Sequence, residues 1–203
     1  MSEYGIKIAL IGNSGVGKSC IIQRYIDNTF DKCSASTLSS ISVEKEIIRG
    51  KEKYTLSIWD TAGQEKYQSL GKYFYKDAYI ILLIYDITNQ KSLDSLKKVW
   101  YPDLQIYAEN CVVIGVVGNK TDLYENDDLA DEDEAKEFAE EIGALFYLVS
   151  AKSGENITKL FEKLLDKFFE KDIQDKVKNI EMNKRERSSF SLEPKIEKKK
   201  KCC

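Results

Sequence analysis

The sequence predicts an α/β fold built on an open, mostly parallel sheet. Three observations carry that prediction. Strand-like and helix-like runs alternate in the order β-α-β-β-α-β-α-β-α-β-α. Two strand runs, "YIILLIYD" and "CVVIGVVGN", are apolar almost throughout, as in strands buried on both faces. A glycine-rich stretch joins the first strand to the first helix, at the sheet edge where such folds bind ligands.

The first strand is "YGIKIALI", Tyr4 to Ile11. Lys18–Asp27 follows as a helix, with Ile21, Ile22, Tyr25 and Ile26 on its apolar side. "ISVEKEII" and "YTLSIWD" flank "RGKEK" and read as a hairpin. The two apolar strands and "LFYLVS" complete six strands. Helical stretches fall near 64–76, 90–108, 131–142 and 157–171, making five helices with the first. After Lys171 the apolar period fades into charge, "RERSSFS" and Pro194. The expected division is therefore a folded domain over 1–171 and a flexible tail over 172–203.

Composition narrows the chemistry. Among 203 residues there is no histidine, which removes Ser-His-Asp and Cys-His nucleophile systems and HExxH metal sites. The five cysteines include no CxxC pair, so neither a zinc site nor a disulfide framework is expected. The start, "MSEYGIKIALIG", has no secretory pattern, and no apolar run is long enough to span a bilayer. An intracellular, soluble fold is expected. The net charge of −3 conceals a split: of 31 basic and 34 acidic residues, eight basic and three acidic ones fall after Asn183. An acidic body argues against nucleic-acid binding. The basic tail points toward an anionic surface.

"GNSGVGKS", Gly12 to Ser19, fits G-x-x-x-x-G-K-[ST] between a strand and a helix. Its glycines let backbone amides of Ser14, Gly15, Val16, Gly17, Lys18, Ser19 and Cys20 close on phosphate oxygens. Lys18 would reach the β- and γ-phosphates, and the Ser19 hydroxyl would ligate Mg²⁺. "GNKTD" ends the strand that begins at Cys111. A carboxylate at Asp122 only accepts hydrogen bonds, whereas guanine presents two donors side by side. Adenine would leave that carboxylate facing an acceptor, a strong ground for rejection. Asn119 can brace the loop or contact the base, and the Lys120 stem can lie along the ring. "SAK", Ser150, Ala151 and Lys152, would offer a backbone N–H to the guanine oxygen. "WDTAGQE" closes the second hairpin strand. Its Asp60 is placed to hold the Mg²⁺ shell, Gly63 to approach the γ-phosphate, and Gln64 to orient the attacking water.

With these three motifs in order, the chain resembles a Ras-superfamily small GTPase over about Tyr4 to Lys171. "WDTAGQE", "YFYKDA" and the terminal Cys-Cys resemble the Rab branch. The resemblance implies a P-loop NTPase G domain, a six-stranded sheet with one antiparallel strand and five helices. It implies GTP or GDP as the bound nucleotide and Mg²⁺ as cofactor. It implies that Thr37 joins the metal in the GTP state, that Phe30 packs on guanine, and that Trp59 and Phe74 belong to a partner-binding surface. It also implies geranylgeranyl groups on Cys202 and Cys203. Two lipid chains beside Lys198–Lys201 make a stable anchor. The implied protein is a monomer of the cytosol and the cytoplasmic face of an intracellular membrane, regulating vesicle-mediated transport. Its partners would be an exchange factor, a GTPase-activating protein, a Rab escort protein or GDP-dissociation inhibitor, a prenyltransferase and GTP-state effectors. No arginine finger is evident, so intrinsic hydrolysis should be slow until an activator supplies charge.

The chain departs from the Rab pattern after Thr37. It reads "LSSIS" where Rabs usually read "IGVDF", so Ser39 replaces a glycine and Ser42 an aromatic; Asp77 replaces another common glycine. An alternative therefore stands beside the switch: a nucleotide-binding module with negligible hydrolysis, acting as a GTP-dependent scaffold.

Overall fold

The computed structural model describes residues 4–31, 41–61, 75–108, 110–125 and 129–170. The chain divides into two units, Met1–Phe168 and Phe169–Cys203. Among the described residues six strands form one sheet: β1 (Tyr4–Ile11), β2 (Ile41–Arg49), β3 (Glu52–Asp60), β4 (Ile80–Asp86), β5 (Val113–Asn119) and β6 (Leu145–Val149). Their spatial order is β2-β3-β1-β4-β5-β6. Of these described strands only β2 and β3 pair antiparallel, with Ile41 opposite Asp60 and Arg49 opposite Glu52. The remaining pairs are parallel. The mixed sheet read from the sequence is the sheet observed.

The hairpin is tighter than "RGKEK" suggests. Both strands continue until only Gly50 and Lys51 connect them, and Gly50 takes φ +64°. A positive φ at that position matches the twist of the two strands.

Among the described residues four helices flank the sheet: α1 (Lys18–Asp27), α2 (90–107, in three segments), α3 (Glu132–Glu141) and α4 (Ile157–Phe168). The fifth expected helix, over 64–76, falls almost entirely outside them. α2 replaces the single helix expected over 90–108 and is not uniform. It runs as α-helix over Gln90–Ser95, as a π-helical turn over Leu96–Trp100 and as α-helix again over Tyr101–Tyr107. Pro102 sits in the first turn of that last segment. A proline inside a continuous α-helix would remove one backbone bond and clash with a carbonyl four residues back. The π turn resets the ladder just before it.

β4 is buried at every position and forms the centre of the core. On one sheet face Ala9, Ile81 and Leu83 pack with Leu93, Leu96, Trp100 and Phe138 from α2 and α3. On the other face Tyr25 of α1 stacks on Phe161 of α4, ring centroids 3.7 Å apart. Strand order reverses around β1, which has β3 on one side and β4 on the other. A crevice at the carboxyl ends of β1 and β4 follows from that reversal.

Candidate functional site

The crevice begins where β1 ends. Gly12 takes φ +146°, and a Cβ there would stand 2.1 Å from the Ile84 carbonyl oxygen. Only glycine lets the chain leave β1 so close to β4. Gly17 takes φ +95°, and its Cβ would lie 2.3 Å from Asn119 Nδ2. The same residue starts α1, where Ile21 N–H donates to Gly17 O at 3.0 Å. The amides of Lys18, Ser19 and Cys20 thus belong to the first turn, before the first intrahelical bond. Ser14, Gly15 and Val16 form the turn that precedes it.

Lys18 is the charge of this loop. Its Nζ donates to the carbonyls of Gly12 at 2.8 Å and Asn13 at 2.9 Å. Burial pushes its pKa down to about 8, while the nearby Asp60 carboxylate works in the opposite direction. A buried cation poorly compensated by its surroundings is strongly receptive to phosphate.

Ser19 and Asp60 meet across the crevice. Ser19 Oγ donates to Asp60 Oδ2 at 2.5 Å. Thr61, next along the chain, donates from Oγ1 to Leu10 O at 2.7 Å and pins the end of β3 to β1. A hydroxyl and a carboxylate oxygen side by side are hard oxygen donors that suit Mg²⁺. That ion is ordinarily held by one or two carboxylates with substrate phosphates completing its shell. The donor set fits the ion.

The opposite end of the crevice is organised by Asn119, at the tip of β5. Its Nδ2 donates to Val16 O at 2.8 Å, and its Oδ1 accepts from Ala151 N–H at 3.1 Å. One 1 % exposed side chain therefore joins the glycine loop to the "SAK" loop. The sequence left bracing and base contact open for Asn119; in this geometry it braces. Lys120 takes φ +77°, and its Nζ lies 2.6 Å from Asp86 Oδ2, which fixes the stem. Asp122 Oδ1 accepts from Ser150 Oγ at 2.6 Å, and Oδ2 lies 3.3 Å from Lys152 Nζ. Burial raises the Asp122 pKa, but the bonds from Ser150 and Lys152 outweigh it and leave the carboxyl below its ordinary value. Asp122 is held ionised, as an acceptor-only group. Phe30 sits half-buried, two residues past the α1 C-cap Asn28.

The structure thus gathers Lys18, Ser19 and Asp60 at one end, and Asn119, Lys120, Asp122, Ser150, Ala151 and Lys152 at the other. Thr37, Gly63, Gln64, Cys202 and Cys203 lie outside the described residues, as do Ser39 and Phe74. Ser42 is described: it is exposed and pairs across the hairpin with Trp59.

Sequence reasoning missed three supports. Arg24 donates from Nε to Ala151 O at 2.9 Å and from Nη2 to Lys152 O at 2.7 Å, gripping the "SAK" loop from α1. Thr121 Oγ1 donates to Glu155 Oε2 at 2.8 Å. Asp86 holds Lys120. Of these only Asp86 had a legible signal, a carboxylate ending an apolar strand at the ligand edge of the sheet.

A glycine loop pinned between sheet and helix, joined by one asparagine to the corner that carries Asp122, defines a P-loop nucleotide-binding domain. The match to known proteins is more specific. Residues 7–170 match the Ras family. Ras-related protein RABC1 of Arabidopsis thaliana is 37% identical over 170 residues, 83% of this chain and 79% of that protein. RabC of Dictyostelium discoideum is 35% identical over 204 residues, 99% of this chain and 98% of that protein. Rab-30 of Homo sapiens is 35% identical over 159 residues, 78% of this chain and 77% of that protein. The chain belongs to the Ras family of small GTPases, within its Rab group, and is a GTP phosphohydrolase. Ras-family proteins bind guanine nucleotide with Mg²⁺ and work through regulators and effectors.

Proposed function

We propose that this chain is a membrane-cycling guanine-nucleotide switch that acts in vesicle-mediated transport. The observation that carries the reading is the Asn119 bridge: phosphate loop and base loop share one side chain, so a single molecule spanning both is bound as a unit. Asp122, held ionised, takes the two donors of guanine. Backbone amides from Ser14 to Cys20 take the phosphates. Lys18 keeps its bonds to the Gly12 and Asn13 carbonyls and turns its third N–H to the phosphate oxygens, whose charge supplies the compensation that burial removes.

Ser19, Asp60 and Thr37 would hold Mg²⁺, which neutralises charge developing on the phosphates during transfer. Gly63 N–H contacts the γ-phosphate and Gln64 positions water. Hydrolysis removes the contacts to Thr37 and Gly63 and releases both segments. Intrinsic turnover is slow, and a GTPase-activating protein accelerates it by adding charge. An exchange factor, an escort protein or GDP-dissociation inhibitor, a prenyltransferase and GTP-state effectors complete the cycle. Cys202 and Cys203 carry the lipids, and the tail over 172–203 reaches the cytoplasmic face of an intracellular membrane. Among the described residues no helix is long and apolar enough to cross one. Ser42 opposite Trp59 removes an aromatic from the partner surface, so effectors that need such an anchor are excluded.

Single-turnover hydrolysis of GTP by purified full-length chain tests this reading. Slow release of phosphate, accelerated by a broad-range Rab activator, is expected. GTP bound without turnover even with the activator would leave the scaffold alternative in its place.

A further inference from the structure

The π-helical turn in α2 has a consequence for the phosphate loop. Asn13, second in that loop, is held by two side chains of α2. Trp100 Nε1–H donates to Asn13 Oδ1 at 2.7 Å, and Asn13 Nδ2 donates to Ser95 Oγ at 3.0 Å. Ser95 Oγ in turn donates to Lys91 O at 2.7 Å. The Asn13 carbonyl accepts from Lys18 Nζ at 2.9 Å. The indole is buried, 6 % exposed.

Ser95 and Trp100 are five residues apart. On a regular α-helix that spacing turns two side chains about 140° away from each other. They could not both reach one asparagine. In a π turn the bond runs from i to i+5, and Tyr101 N–H indeed donates to Leu96 O. Residues five apart are then brought toward one face. The extra residue in the turn therefore converts two divergent side chains into a grip on Asn13. Pro102 explains why the ladder must be reset nearby, but not why the side chains flanking the reset turn both end on the phosphate loop.

We propose that this π turn is a positioning device for the phosphate loop, with Trp100 and Ser95 as positioning residues that hold Asn13, and through its carbonyl Lys18, in the nucleotide-retaining arrangement. The inference rests on the guanine-nucleotide reading above and assigns that site a support from a helix that carries none of the proposed nucleotide-binding residues. Loosening the grip frees Asn13, lets its carbonyl drift from Lys18, and speeds loss of the phosphates.

The test uses full-length chain loaded with a fluorescent GDP and measures release. Trp100→Phe keeps an aromatic ring and removes the N–H; it should release GDP about three- to tenfold faster, the range that losing one neutral hydrogen bond gives. Ser95→Ala should accelerate release by about two- to fivefold. Asn13→Ala removes both contacts and should be at least as fast as Trp100→Phe. The double variant of Asn13→Ala and Trp100→Phe should be no faster than Asn13→Ala alone, since the pair acts as a unit. Leu104→Val loosens the core side of the same helix. It should lower the melting temperature as much as Trp100→Phe while leaving release within about twofold. Hydrogen exchange of the peptide Gly12–Cys20 in nucleotide-free protein gives the same ordering without ligand. Wild-type release from Trp100→Phe, multiplying effects in the double variant, or release that simply follows melting temperature in every variant would overturn the proposal. A wild type that takes up no GDP would sink the guanine reading instead, and the exchange measurement would then decide the grip by itself.

Discussion

Asp122→Asn is the sharpest test of base selection. Ser150 Oγ accepts from Ser153 N–H at 3.0 Å, so its own proton is directed at residue 122, 2.6 Å away. An amide at 122 can meet that proton only with its oxygen. Its NH2 is then turned to the side where Lys152 Nζ stands 3.3 Å from the present Oδ2. Guanine's two donors would face one acceptor that is already engaged and one donor. A hydrogen bond to a charged group contributes about 1.5–3 kcal/mol, and the opposed donor adds a desolvation cost. The total is about 3–4 kcal/mol, or about 10²- to 10³-fold in affinity for GDP. Xanthine carries a carbonyl where guanine carries its amine, so xanthosine diphosphate should regain most of that loss. Competition of GDP and xanthosine diphosphate against a fluorescent nucleotide, with wild type and variant, reads both quantities. Because the Asp122 carboxyl lies below its ordinary value, wild-type selectivity should be flat with pH above the carboxylate range and decline only in acid. GDP affinity within about threefold of wild type would refute the reasoning.

Three further outcomes are expected. Asn119→Ala removes the bonds to Val16 O and Ala151 N–H; at about 0.5–1.5 kcal/mol each, GDP should leave about 5- to 150-fold faster, measured by stopped-flow displacement. Ser19→Asn removes the hydroxyl beside Asp60 and should favour GDP over GTP in titrations with Mg²⁺ present; equal affinities would count against the metal assignment. Replacing Cys202 and Cys203 together by serine should leave the protein in the soluble fraction of lysed cells, and continued pelleting with membranes would refute the lipid anchor.

The sheet was readable because its strands are short apolar or alternating runs with glycines and polar residues at their ends. β1 begins and ends at the residues expected. β5 starts later than Cys111 because the Val112 amide turns to Tyr79 O and the pairing with β4 begins only at Val113, opposite Ile80. The glycine loop and the two strand tips at Asp60 and Asn119 stood out in the sequence because each is a local run. What the sequence concealed is what joins them. Arg24 reaches residues 127 and 128 positions away, and Trp100 reaches Asn13 across 87. Contacts of that separation leave no periodicity in the intervening chain. The π turn was hidden for a related reason: its apolar residues, Leu96 and Trp100, suit a regular helix, and only Pro102 hinted at a reset ladder.

The claim on which everything else depends is that one guanine nucleotide spans Lys18 and Asp122. Denaturing the freshly purified full-length protein and separating the released nucleotides measures this directly. Close to one GDP or GTP per chain is the result predicted. A chain that carries adenine nucleotide instead, or that stays empty after incubation with GDP and Mg²⁺, would contradict it.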